Sequence, residues 1–278
     1  MATTDVLEYK GQSRLQHGPL NDRIYLMKLD PGDFPGIVVD LDDLAAEHGY
    51  SKIFAKVPER FRDGFLEQGY LEEGRVPRFY EGQETAVFLG KFLASWRGIA
   101  TDQHRLQEVL EAAEAKQNGP VPATQPDLAA VELGVEHAAQ AAQLYDTVFD
   151  SYPFPIHDPT YIRETMHSHV RYFGVFDGQR LVALSSSEID AAARNVEMTD
   201  FATLPEYRSK GLAGFLLDHM DTAMREAGLL TAYTIARAVS FGMNITFARA
   251  GYAYGGTLIN NTNIAGKLES MNIWYKQL

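Results

Sequence analysis

The stretch PEYRSKGLAGFLLDHM, residues 205–220, sets Arg208, Lys210 and Gly211 between a run that reads as strand and one that reads as helix. A turn of this kind offers successive backbone N–H groups, from Arg208 through Ser209, Lys210, Gly211, Leu212 and Ala213. They gather at a helix N-terminus, where about half a positive charge is concentrated. Gly211 permits the dihedrals of a nest of N–H groups and lets an anion approach without a Cβ in the way. Arg208 and Lys210 add full charges, and Ala213 keeps the first helical turn equally close. Together these residues could hold a pyrophosphate. A plain glycine turn is the other reading of the same six residues, and the surrounding elements must decide.

The helix after the turn carries Leu212, Leu216, Met220, Ala223 and Ala227 on one stripe, with Asp218, Asp221 and Arg225 off it. Upstream, VRYFGVFDGQRLVALSSSEID reads as two strands joined at Asp-Gly, and RNVEMTDFATL as a third. Downstream come a strand (LLTAYTIARA), a short helix (FGMNITFARA) and two closing strands (YAYGGTLI and LESMNIWYKQL). EHAAQAAQLYDTVFD and PTYIRETMHSH precede them as helices. This order predicts an α+β chain with a mixed sheet. The clearest boundary is NGPVPATQP, residues 118–126, after a helical connector that Thr101 would cap.

The first half echoes this order. Residues 53–74 lie on residues 234–256 with a single one-residue gap, so that Phe65 precedes Gly69-Tyr70 as Phe247 precedes Gly251-Tyr252. NDRIYLMKLD takes the place of the 194–204 strand, and DLDDLAAEHG that of the long helix. Between them stands PGDFPG, without the arginine-lysine-glycine turn. The series predicts an incomplete duplicated unit.

Composition narrows the function. A net charge of −12 argues against nucleic acid, which needs a cationic face, and suits a small cationic ligand. The absence of cysteine excludes disulfides, thiolate metal sites and a cysteine nucleophile. No apolar run approaches the ~20 residues that span a bilayer, and MATTDVLEYKGQSRLQHG lacks a signal-peptide pattern, so a cytoplasmic protein is expected.

Residues 127–278 resemble a GNAT-fold N-acetyltransferase, whose acetyl-CoA pyrophosphate sits on an R/Q-x-x-G-x-G/A loop; here that loop is Arg208-Ser-Lys-Gly211-Leu-Ala213. EMTDFATLPEYRSKGLA, TIARAVSFGMN, GYAYGGTLINNTNI and ESMNIWYKQL are similar to the β-lysine N-acetyltransferases, as are LQHGPLNDRIYLMKL and KIFAKVP upstream. The likeness spans nearly the whole chain. It implies a GNAT-like mixed sheet flanked by helices, with an N-terminal incomplete GNAT-like duplicate. It implies acetyl-CoA as co-substrate with no metal, and transfer to the ε-amine of β-lysine, giving the osmolyte N6-acetyl-β-lysine. It also implies a splayed strand, where Phe201, Ala202 and Thr203 pair with the pantetheine arm and an N–H near Ala202 or Thr203 faces the oxyanion.

An amine of reference pKa about 10.4 is protonated at neutral pH, so attack on a thioester needs a proton acceptor. Glu197 and Asp200, on the strand leading to the splay, are the catalytic candidates. Their odd separation puts them on opposite faces of a regular strand unless a bulge intervenes. Structural ion pairs are the alternative role for each. A substrate with two ammonium groups and a carboxylate needs acids and amides around it. Asn260, Asn261 and Glu269 are the candidates, with Thr262 and Asn263 in the same Asn-rich loop and Glu188 behind them; an ordinary turn is the alternative.

One position departs from the family pattern. The tyrosine that many GNAT enzymes use to protonate the thiolate falls at Phe247, leaving Tyr233, Tyr254 or a water. Ser240 and Asn244 fall near another family asparagine. His167 and His169 lack a third ligand at metal spacing, Ser185–Ser187 have no nucleophile-elbow context, and Tyr152 and Phe154 suit a lid or a packing loop equally.

The expected division is residues 1–97 as a degenerate GNAT-like domain, 98–126 as helical connector and Pro-rich linker, and 127–278 as the catalytic domain. The first part should bind no coenzyme, pack on the second as a pseudo-dimer partner and shape the amine pocket. Deleting it should spare coenzyme binding and abolish substrate binding. The expected partner is a small cationic amino acid, with no nucleic acid and no membrane; a homodimer stays among the open states. The rival readings are an acetyltransferase for another small diamine or amino acid, such as lysine or a polyamine, and a non-catalytic acyl-CoA sensor.

Overall fold

The computed structural model describes residues 5–120, 128–149, 152 and 154–278. The first half contains β1 (Val6–Lys10), β2 (Ser13–Gly18), β3 (Arg23–Lys28), α1 (Gly36–His48), β4 (Lys52–Pro58), α2 (Arg62–Leu66), β5 (Leu71–Tyr80) and β6 (Glu84–Phe92). The connecting helix is α3 (Gln103–Glu114). Then follow β7 (Ala129–Glu132), α4 (Ala138–Val148), α5 (Pro159–Met166), β8 (Val170–Asp177), β9 (Arg180–Asp190) and β10 (Asn195–Thr203). The chain closes with α6 (Leu212–Glu226), β11 (Thr231–Arg237), α7 (Phe241–Arg249), β12 (Ala253–Ile264) and β13 (Lys267–Gln277).

All thirteen strands join one mixed sheet in the order β1-β2-β3-β4-β6-β5-β12-β13-β11-β10-β9-β8-β7. Outward from the β5–β12 contact, β5-β6-β4-β3-β2-β1 on one side mirrors β12-β13-β11-β10-β9-β8 on the other. Each side has one parallel pair, β3 with β4 and β10 with β11. The register repeats as well: Tyr25 lies beside Gln16 and Phe54, as Glu197 lies beside Glu188 and Tyr233. The fold is α+β, and the first half repeats the strand order of the second.

The halves meet where Gly74 pairs with Gly256. A Cβ on Gly256, whose φ is +137°, would stand 2.2 Å from the Glu73 carbonyl oxygen, so only glycine allows the backbones to approach. Each half also holds the other's bulge. Thr231 Oγ1 and Asn195 Nδ2 donate to the carbonyls of Arg78 and Phe79 on β5. Lys52 Nζ and Arg23 Nη1 donate to those of Ile259 and Asn261 on β12. Arg78 and Asn260, both at positive φ, mark the two bulges.

Three apolar cores follow from this plan. The stripe Ile37, Val38, Leu41, Leu44 and Ala45 lays α1 on one face of the first half, and Gly49 at φ +70° ends the helix. Helices α4 to α7 cover the corresponding face of the second. The third core is shared: Tyr25, Phe54, Phe79 and Phe88 pack with Tyr233, Leu258, Met271 and Ile273. Deleting residues 1–97 would uncover the second-half side of that core, Tyr233, Leu258, Met271 and Ile273.

Smaller corrections concern local elements. The connecting helix has Asp102, not Thr101, at its N-cap position, and makes no side-chain cap bond there. Asp221, off the apolar stripe of α6, is nonetheless buried, accepting from Tyr252 and Lys276. The Asn-rich segment is the end of β12, not a loop. Much of the proline-rich linker, residues 121–127, lies outside the described residues. Among the described residues no helix is long and apolar enough to cross a membrane.

Candidate active site

β10 and β11 pair only from Asn195 to Glu197 against Thr231 to Tyr233, although both strands continue. Beyond Glu197 they splay, freeing backbone groups on the facing edges. A 3-10 turn (Pro205–Tyr207) then leads to Ser209 and Gly211, at φ +63° and +77°, and α6 starts at Leu212 with no side chain capping it. The N–H groups of its first turn have no intrahelical partner by geometry. They open on a groove of about 580 Å3 that runs from the splay to α7.

Of the nine residues expected to hold coenzyme, Phe201, Thr203, Arg208, Ser209, Gly211, Leu212 and Ala213 line this groove. Ala202 is buried in the core, as its side chain points away from the cleft. Lys210 is turned aside, its Nζ 4.4 Å from the centre of the Tyr207 ring. Thr246 and Arg249 of α7 complete the far wall and escaped sequence reasoning. An uncapped helix start with a guanidinium beside it fits an anionic pyrophosphate, so the groove suits acetyl-CoA.

A second cavity, of about 430 Å3, opens on the other side of the splay, between the halves. Glu197 and Asp200 both face it. The register of β10 against β9 shifts between Thr199 and Ala202, and Asp200 takes φ +56°, so the extra residue turns its side chain to the same side. Glu197 accepts from Tyr233 Oη at 2.8 Å, and Lys56 Nζ donates to the same hydroxyl at 3.1 Å. Asp200 accepts from Ser186 Oγ at 2.5 Å, from Thr199 Oγ1 at 3.3 Å and from the Tyr152 hydroxyl. Burial raises the Asp200 pKa against the pull of these donors. Burial also raises Glu197, opposed by the Lys56 charge and the Tyr233 bond. Glu188 is raised by burial and then by repulsion from Glu197.

The substrate candidates divide. Asn261 lines the cavity, and its Oδ1 is buried without a partner among the described residues. Asn260 does not: its Nδ2 donates to the carbonyls of Arg97 and Ile99, tying β12 to the first half. Glu269 is also committed, accepting both arms of Arg237 at 2.7 and 2.8 Å. Glu188, Tyr152, Phe154, His169 and Tyr233 line the cavity.

Other expected positions serve the fold. Phe247 is fully buried, edge-on to Phe201 and Tyr252, and has no proton to give. Tyr254 bonds Thr257 at 2.5 Å. Ser240 caps α7, and Asn244 ties that helix to Asn272 and Trp274. Ser185 and Ser187 bond within the sheet, while Ser186 is the one that steadies Asp200.

A splayed strand, an uncapped glycine turn at a helix start and a carboxylate-lined cavity beside them fit an acetyltransferase of the GNAT class. Residues 141–252 match the model of the Acetyltransferase (GNAT) family. Similarity over the full length is more specific. The chain is 42% identical over 267 residues to the β-lysine N(6)-acetyltransferase of Methanococcus maripaludis, covering 95% of this chain and 96% of that one. It is 33% identical to the N-acetyltransferase YodP of Bacillus subtilis, over 95% of each chain. It is 32% identical to the β-lysine N(6)-acetyltransferase of Methanosarcina mazei, over 89% of this chain and 98% of that one. The chain belongs to the β-lysine N-acetyltransferase family of GNAT enzymes.

Proposed function

We propose that this protein transfers the acetyl group of acetyl-CoA to the ε-amine of β-lysine, giving N6-acetyl-β-lysine. Two curated relatives carry that activity in their names. The observation that carries the reading is the bulge at Asp200, which turns two carboxylates three residues apart into one cavity at the splay. A cationic amine is drawn there, and a proton acceptor waits beside it.

The roles follow from the bonding. The α6 turn and Arg208 hold the pyrophosphate, and the free edge of β10 at Phe201–Thr203 meets the pantetheine arm. Bound acetyl-CoA supplies the thioester. Glu197, with a single hydroxyl donor on it, takes the proton from the substrate ammonium. The freed nitrogen lone pair forms the new C–N bond while a backbone N–H near Ala202 or Thr203 donates to the developing oxyanion; the C–S bond then breaks, and the second proton of the attacking nitrogen passes to the departing sulfur, so that CoA leaves as the thiol. Asp200, held in place by three hydroxyl donors, positions the ammonium. Residues 127–278 form the catalytic part, 1–97 a coenzyme-free duplicate, and 98–126 the connector. Where the first half would need a phosphate turn, the Asp33 carboxylate already accepts from the N–H groups of Gln12 and Ser13.

The test is turnover of β-lysine with acetyl-CoA by the purified chain, with the acetylated nitrogen located by NMR. Acetyl on the ε-nitrogen supports the reading. Turnover of α-lysine or a polyamine with none of β-lysine would replace the substrate and keep the class.

A further inference from the structure

Every lysine and arginine on the acceptor cavity wall comes from the first half: Arg14, Arg23, Lys28 and Lys56. Every carboxylate comes from the second: Glu188, Asp190, Glu197 and Asp200. Among the described residues, only Lys28 and Asp190, 3.3 Å apart, pair across it. Among the described residues, Arg14, Arg23 and Lys56 have no carboxylate within 4.0 Å, and neither Glu188, Glu197 nor Asp200 has a cation that close.

Unpaired buried charge is costly, and two walls of opposite sign could have offset each other by closing together. They are instead held apart. Arg23 is 6% exposed, and burial lowers its pKa to about 10. Its Nη1 donates to the Asn261 carbonyl and, at 3.3 Å, to Thr262 Oγ1, which fixes the guanidinium without neutralising it. Arg14 stands two residues before Gln16 on β2, on the same face, and has no side-chain hydrogen bond among the described residues.

The geometry points to a dipolar ligand spanning the cavity, with its carboxylate held by Arg14 and Arg23 of the first half and its ammonium groups by the carboxylates of the second. This inference deepens the proposed function and rests on its acceptor cavity. It gives the coenzyme-free half a task, reading the acid end of an amino acid, and makes a carboxylate-free polyamine a poor substrate. The buried, unpartnered Oδ1 of Asn261 stands beside Arg23 as an acceptor for the ligand amine nearer the carboxylate.

The experiment compares β-lysine with pentane-1,4-diamine, which keeps the spacing of the two amines and lacks the carboxylate. Both are measured with the wild type, Arg14→Met and Arg23→Met, with folding monitored by circular dichroism and coenzyme affinity. The wild type should favour β-lysine by about tenfold or more in kcat/KM, the scale of one charge-assisted contact. Arg14→Met should lose most of that preference through KM, with kcat and the diamine rate little changed. Equal loss on both substrates, or a wild type indifferent to the carboxylate, overturns the inference. If the wild type acetylates some other amine, the same comparison is made with that amine and its decarboxylated analogue. Preference for the analogue then overturns the inference independently of the β-lysine reading.

Discussion

Tyr25 and Glu197 occupy equivalent positions in the two halves, each in register with its neighbours on both sides, and both face one cavity. The row Glu188-Glu197-Tyr233 on the second half answers the row Gln16-Tyr25-Phe54 on the first. One duplicated frame thus carries acids on one wall and aromatic and amide groups on the other. The acceptor site exists because the two copies are not chemically alike.

Glu197 is the proton acceptor in this account. Glu197→Gln should lower kcat by about 10²-fold or more, the usual worth of a general base. The affinity for acetyl-CoA should stay unchanged by equilibrium binding, since the groove lies across the splay. Asp200→Asn should lower kcat less and raise KM for the amine.

In this account Lys56, from the other half, bears on the protonation of that base. The groups facing Glu197 are Lys56 on β4, Tyr25 on β3, Tyr233 on β11, Glu188 on β9 and Asp200 on its own strand, with Arg14 and Asp190 further out. Burial raises the Glu197 pKa and the Lys56 charge lowers it, so removing that charge raises it further. The base is lost as pH falls through this pKa. Lys56→Met should therefore move the acid limb of kcat/KM to higher pH, while Lys56→Arg leaves it in place. An unmoved limb in Lys56→Met would separate Lys56 from the base.

The coenzyme turn predicts a different signature. Arg208→Ala should raise KM for acetyl-CoA by about tenfold with kcat nearly unchanged, as expected for a phosphate contact made equally before and during reaction. Lys210→Ala should do much less, because its ammonium sits over Tyr207 rather than on the groove wall.

Gly256 tests the junction. An added Cβ would meet backbone atoms of Glu73 and Gly74, at 2.2 and 2.5 Å, and backbone cannot step aside as a side chain can. Gly256→Ala should cost more than about 2 kcal/mol by denaturant unfolding. Gly178→Ala, at φ +61° with nothing within 4 Å, should cost only the left-handed backbone term of about 1–2 kcal/mol and less than Gly256→Ala.

The parts legible in the sequence were those encoded locally. The strand-turn-helix at Arg208–Ala213 carries its own glycine and charges, and the ordered echo of Gly69-Tyr70 in Gly251-Tyr252 exposed the repeat. The bulge at Asp200 could be stated as a condition but not read, because its dihedrals come from pairing with β9. Asn260 and Glu269 have the right chemistry, yet their polar atoms are taken by Arg97, Ile99 and Arg237, partners remote in sequence. The cations of the cavity were invisible for the same reason. Arg14 and Glu188 face one cavity only after two copies of one sheet have been joined edge to edge at a pair of glycines.

The most direct measurement is the initial rate of CoA release from acetyl-CoA by the purified chain, with β-lysine, α-lysine and spermidine offered separately, for the wild type and Glu197→Gln. The account predicts turnover of β-lysine well above the other two, and its near-complete loss in Glu197→Gln while acetyl-CoA still binds. Equal rates for Glu197→Gln and the wild type, or no release with any amine by a wild type that binds acetyl-CoA, would contradict it.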